Sequence, residues 1–153
     1  MNLLLKRFFM MVTGLTVAVA LAGCATANRN YHGLTLGSDL AFKFGKSELT
    51  PAAKEMIDEY AAIIDRTKNI RVAVVGHTDR IGDDQRNQVL ALERAEAVRT
   101  QLLESRLEPR SVFARSVGSS EPVVQCDQTD RKALIECLAP NRRVEVFVNP
   151  TAF

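Results

Sequence analysis

The chain has 153 residues, with 20 Lys and Arg against 18 Asp and Glu and a formal net charge of +2. That length suits one domain around one core rather than two. The charge is near balance, and the clustered basic footprint that nucleic-acid binding requires is absent from the sequence.

Lys6 and Arg7 precede an apolar run from Phe8 to Leu21, followed by Leu21-Ala22-Gly23-Cys24. This is the layout of a secretory signal. The run is about 15 residues broken by Thr13, Gly14 and Thr16, short of the roughly 20 that a membrane-spanning helix needs. Small residues directly before a cysteine resemble the lipobox of bacterial lipoproteins. That resemblance implies a signal over residues 1–23, cleavage before Cys24, and diacylglycerol plus an N-acyl chain on Cys24. Each buried methylene then adds about 0.8 kcal/mol of anchoring. Ala25, rather than Asp, is what such lipoproteins carry when they are sorted to the outer membrane. Loss of Lys6 and Arg7 leaves 18 basic and 18 acidic residues, a formally neutral mature chain.

Residues 25–37 are small and polar and read as a tether behind the lipidated Cys24, so that 24–37 form one segment. A domain is expected over 38–149, with a tail at 150–153. Leu40, Phe42 and Phe44 alternate with Ala41 and Lys43, which predicts a short strand. By the same alternation Lys43 points away from the two phenylalanines. Thr50-Pro51 reads as an N-cap with proline at the first helical position. Ala53, Met56, Ile57, Tyr60, Ala61 and Ile64 follow at helical spacing and predict one apolar face. Ile70, Val72 and Val74 alternate as a second strand ending at Gly76. The segment from His77 to Gln85 leads to a second helix over about Arg86 to Arg106, with Leu90, Ala91, Ala95, Val98 and Leu102 inward. Phe113 to Val117 predicts a third strand. Pro122 to Leu138 is an excursion with a short helix near Lys132 to Leu138. Val144, Val146 and Val148 alternate with Glu145 and Phe147 as the last strand. Strands alternating with helices imply α/β layer packing.

Of three cysteines, Cys24 is assigned to the lipid, leaving Cys126 and Cys137 as a pair. In an exported, oxidised protein a disulfide is the natural reading. Closing so short a loop contributes roughly 2–3 kcal/mol in the chain-entropy account. Two free thiols or half a metal site are the alternatives, and the metal site lacks further Cys or a nearby His.

Four motifs occur in order: Phe42-x-Phe44, Gly76-His77-Thr78-Asp79-x-x-Gly82, Asn87-x-x-Leu90-x-x-x-Arg94-Ala95, and Asn141-Arg142-Arg143-Val144-Glu145. Together they resemble the OmpA-like domain carried by outer-membrane proteins and peptidoglycan-associated lipoproteins. The resemblance runs from about Leu36 to Val148. It implies an α/β two-layer sandwich with a four-stranded mixed sheet and helices on one face. It also implies non-covalent binding of peptidoglycan through the diaminopimelate of its stem peptide. At the family's positions, Asp79 accepts hydrogen bonds from the ligand ammonium, and Arg94 takes its carboxylate in a planar fork that Lys cannot reproduce. Thr78 and Asn87 stand where the family uses polar groups around the ligand. Phe44 lies at the pocket's strand edge and Arg142 at its border. Backbone N–H groups at the start of the second helix would suit an anion as well. Arg143 reads equally as a structural charge. Lys43 departs from the family, which often has Asp or Asn there. Facing the pocket, it would repel an ammonium.

His77 and Asp79 could be imagined as an acid–base pair or as two metal ligands, but residues two apart in a loop do not make a site alone. No catalytic residue, cofactor or metal is expected. The expected partners are peptidoglycan, the outer membrane through the lipid anchor, and envelope proteins. The alternative reading is an envelope protein-interaction module in which glycan binding is secondary.

Overall fold

The computed structural model describes residues 33–43, 45–64, 70–107 and 112–148. The signal, Cys24, most of the tether, Phe44 and the C-terminal tail lie outside the described residues. The elements in chain order are β1 (Leu34–Gly37), α1 (Ser38–Ala41), α2 (Pro51–Ile64), β2 (Val72–His77), α3 (Asp84–Glu104), β3 (Val112–Gly118), α4 (Arg131–Cys137) and β4 (Arg143–Val148). A single 3-10 turn, Ala139–Asn141, joins α4 to β4.

Alternating β-branched residues build the sheet. Its order is β1-β4-β2-β3, with β2 parallel to β3 and the other pairs antiparallel. Register places Leu36 opposite Val144, Val144 opposite Gly76, and Val74 opposite both Val146 and Ala114. One face of the sheet is therefore apolar throughout. Ala53, Ile57, Ala61 and Ile64 of α2 join Ala95, Val98 and Leu102 of α3 against it in a single core. The mixed four-stranded α/β arrangement is the one expected.

Two local expectations are corrected. Among the described residues 40–43 of the strand anticipated over Leu40–Phe44 no strand forms, and the edge strand beside β4 is β1, within residues read as tether. Leu34 and Leu36 share the core face through their pairing with Val146 and Val144. The chain then turns into the helical α1 at Ser38, and Phe42 makes only an isolated bridge to Leu49. Leu40 is left 85% exposed. Met56, expected inward on α2, is 47% exposed, because Ala53, Ile57, Tyr60 and Ala61 already cover the contact face.

The expected Cys126–Cys137 disulfide is present and ties the loop after β3 to the end of α4. A second constraint lies under α3. A Cβ placed on Gly76 would sit 2.0 Å from the Ala91 carbonyl oxygen. Only a residue without a side chain lets the helix backbone approach β2 this closely.

Gly76→Ala is therefore expected to cost at least about 3 kcal/mol, the upper end for overpacking, because the clash is with backbone rather than with a movable side chain. Urea unfolding checks this, and a loss under about 0.5 kcal/mol would contradict the close approach.

Candidate functional site

The strand β2 ends at His77, and the Thr78 N–H still donates to the Gly118 carbonyl, 2.9 Å, so the first residue of the loop is fixed by the sheet. Asp79 follows. Its Oδ1 accepts from the Ile81 N–H at 2.9 Å, a side-chain-to-backbone turn that aspartate favours. Gly82, at φ +103°, takes the chain through a left-handed conformation into α3. Asn87, in the first turns of that helix, donates from Nδ2 to the carbonyls of both Asp79 and Ile81, each at 3.2 Å. Asn87 thus ties the loop down through its own amide.

The helix start does not match the anion expectation. Asp83 is the N-cap, its carboxylate accepts from the Arg86 N–H, and Asp84 follows in the first turn. Those amides face the protein's own negative charge, the favourable occupant of a helix N-terminus.

Two turns further along α3, Arg94 is only 6% exposed. Its Nε donates to the Lys46 carbonyl at 3.1 Å, and its guanidinium carbon stands 5.1 Å from the centre of the Phe42 ring. Stacking over an aromatic face favours a desolvated cation. Burial pushes the Arg94 pKa down from its ordinary value, with the charges of Asp39 and Asp79 acting the other way. Among the described residues Arg94 forms no ion pair.

Arg142 behaves differently. Nε and Nη2 donate to the two carboxylate oxygens of Asp39 at 3.1 and 2.6 Å, and Nη1 donates to Asp79 Oδ2 at 2.8 Å and to the Ile135 carbonyl at 3.0 Å. These bonds raise the Arg142 pKa and hold the Asp39 carboxyl below the usual carboxylate range. Asp79 itself is 7% exposed.

These residues surround a cavity of about 470 Å³. Of the expected set, the structure brings Asp79, Arg94, Thr78, Asn87 and Arg142 together around it, while Phe44 lies outside the described residues. Phe42, Leu90 and Ile135 supply apolar wall. The hydroxyls of Ser38 and Thr78 are buried beside it with no protein partner among the described residues. Two carboxylates and two guanidiniums in one cavity balance, and only Arg94 lacks a carboxylate partner. A ligand with both charges matches this arrangement.

Asp39 and Ser38 were missed by sequence reasoning, although Gly37-Ser38-Asp39 ahead of an apolar run is a helix-start pattern. The alternation of Leu40, Phe42 and Phe44 masked it. Lys43 does border the cavity, against the expectation from alternation, and is neutralised by an ion pair with Glu48. Asn141 is structural. Its Oδ1 accepts from Val123 and Val124 N–H, and its Nδ2 donates to the Val124 carbonyl.

His77 and Arg143 belong to the other face of the sheet. They are register partners, and Arg143 Nε donates to Glu145 Oε1 at 2.6 Å. His77 is 1% exposed, with Nε2 at 3.5 Å from Glu145 Oε2. It does not line the cavity, so His77 and Asp79 form no acid–base pair. Burial chiefly, and then Arg143, push its pKa below the ordinary 6.5, against the pull of Glu145 and Glu121.

Residues 41–135 match the OmpA family. The chain belongs to the OmpA family. Outer membrane protein P5 of Haemophilus influenzae is 42% identical over 120 residues, covering 76% of this chain and 34% of that protein. The chain therefore spans about a third of that relative's length. The periplasmic domain of Helicobacter pylori MotB superposes with a TM-score of 0.65 at 26% identity, covering 78% of this chain and 76% of that one. The peptidoglycan-associated lipoprotein of Burkholderia pseudomallei shares the fold, with a TM-score of 0.62 at 22% identity over 75% and 89% of the two chains.

The buried imidazole gives this OmpA-family domain a pH signature. The folded state keeps His77 neutral below the pH at which the unfolded chain, near its ordinary 6.5, takes up a proton. Its contribution is complete above about pH 6.5 and is lost as pH falls through the depressed folded value. The thermal midpoint should drop between pH 7.5 and 5, and His77→Gln should flatten that slope. Parallel slopes in the two proteins would contradict the assignment.

Proposed function

We propose that the protein is a non-enzymatic peptidoglycan-binding lipoprotein that links the outer membrane to the cell wall. The observation that carries this reading is that one cavity is lined by both Asp79 and the buried Arg94, which has no carboxylate partner among the described residues. Diaminopimelate presents an ammonium and a carboxylate on one tetrahedral carbon at its free end. Asp79 Oδ2 is the acceptor for the ammonium, and the terminal nitrogens of Arg94 receive the carboxylate. Membership of the OmpA family and the outer-membrane protein among its relatives support the same reading. The lipobox-like Leu21-Ala22-Gly23-Cys24 supports the anchor.

A charged hydrogen bond contributes about 1.5–3 kcal/mol net, so two such contacts give modest intrinsic affinity. Many copies facing one polymer add avidity. A lipid at one end and a weak, repeated wall contact at the other make a reversible staple.

The full-length chain in detergent should sediment with diaminopimelate-containing sacculi. Asp79→Asn and Arg94→Ala should each weaken this at least tenfold while the thermal midpoint shows the domain still folded. Unchanged sedimentation of the double variant would sink the reading. Separately, Cys24→Ser should move the protein out of the outer-membrane fraction, and retention there would rule out the lipid anchor.

A further inference from the structure

We propose that Asp39 is a positioning residue that sets the cavity's preference for a zwitterion by limiting Arg142 to a single hydrogen bond on Asp79. This rests on the wall-binding reading and names what makes that same site selective. Arg142 has one planar fork to give. Asp39 takes it in a two-point grip through Nε and Nη2, leaving Asp79 a single contact from Nη1. The Ile135 carbonyl steadies the same Nη1 from α4.

Without Asp39, the acceptors left beside the guanidinium are that carbonyl and Asp79. A fork-to-fork pair with a carboxylate is the strong geometry for arginine. Arg142, already on Asp79 Oδ2 through Nη1, would turn a second donor onto the same carboxylate and compete with an ammonium for it. The charge balance changes in the same direction. With Asp39 present, Asp39 and Arg142 cancel and the cavity offers one acceptor carboxylate and one open cation, Arg94. Without it, Arg142 cancels Asp79, and Arg94 remains as an uncompensated cation. The cavity then favours a simple carboxylate over a zwitterion.

The expected low titration of Asp39 accompanies the grip, since the Arg142 hydrogen bond is its largest cause. Lys43, the other cation at the rim, is paired with Glu48.

NMR titrations of the full-length chain in detergent, with diaminopimelate and separately with pimelate, which lacks the ammonium, test the proposal. Spectra outside the cavity confirm that each variant is folded. Asp39→Asn should weaken diaminopimelate at least tenfold without weakening pimelate. In an Arg142→Gln background, adding Asp39→Asn should leave the preference between diaminopimelate and pimelate unchanged. Equal weakening of both ligands by Asp39→Asn, or no weakening, would overturn the proposal. So would an undiminished Asp39→Asn effect in the Arg142→Gln background, which would make Asp39 a direct ligand contact. The carboxyl titration of Asp39 separates this proposal from the wall-binding reading. It should lie below the usual range in the native chain and rise in Arg142→Gln. An ordinary titration with diaminopimelate still bound would remove the Asp39 grip and leave wall binding standing. Failure of the native chain to bind diaminopimelate, with the low titration intact, would remove both.

Discussion

The backbone contact between Gly76 and Ala91 sets the geometry on which the rest depends. At this point α3 rests on β2 with no side chain between them. Asp79 lies three residues beyond Gly76, and Arg94 lies three residues beyond Ala91, close to one helical turn. The separation of the carboxylate from the guanidinium is therefore fixed by the packing of a strand on a helix rather than by a flexible loop. The loop between them is fastened at both ends. Thr78 is held to β3, and Asn87 reaches back from α3 to two of the loop's carbonyls. A site on rigid elements loses less entropy when it binds than one that must first be ordered.

The charges in the cavity follow one rule with one departure. Buried charges are costly unless paired, and the buried Asp79 pairs with Arg142, whose other donors go to the exposed Asp39. Arg94 is the departure. A backbone carbonyl and an aromatic ring hold it in place without neutralising it. A desolvated cation without a counter-ion is a strained element of the fold and at the same time a site that an anionic group can satisfy. The opposite face of the sheet carries a separate set of charges, Arg143 and Glu145 over the buried His77. The sheet thus separates a ligand-facing cluster from a structural one. Adjacent residues in sequence, Arg142 at the end of the 3-10 turn and Arg143 at the start of β4, serve opposite faces.

Much of this was legible in the sequence, for identifiable reasons. The alternation of Val144, Val146 and Val148 and the helical spacing from Ala53 to Ile64 report burial directly, and the corresponding strand and helix formed. The Gly76 to Gly82 motif and the Asn87 to Arg94 spacing placed four of the expected site residues around one cavity. The N-terminal part of the domain was harder to read. Leu34 and Leu36 carry as much alternation as Leu40, Phe42 and Phe44, and only pairing with β4 decides which of them is the edge strand. That decision turns Ser38 and Asp39 into a helical turn beside the site, a tertiary outcome that local pattern does not encode. The role of Arg142 was hidden for the same reason. Its partner Asp39 is more than a hundred residues away in sequence.

The most direct test is a crystal structure of the protein with diaminopimelate. The ligand's terminal ammonium should lie within about 3 Å of Asp79 Oδ2, and the carboxylate on the same carbon should lie within about 3 Å of the terminal nitrogens of Arg94. A ligand bound outside the cavity, or with its carboxylate on Arg142 and Arg94 unoccupied, would contradict the account.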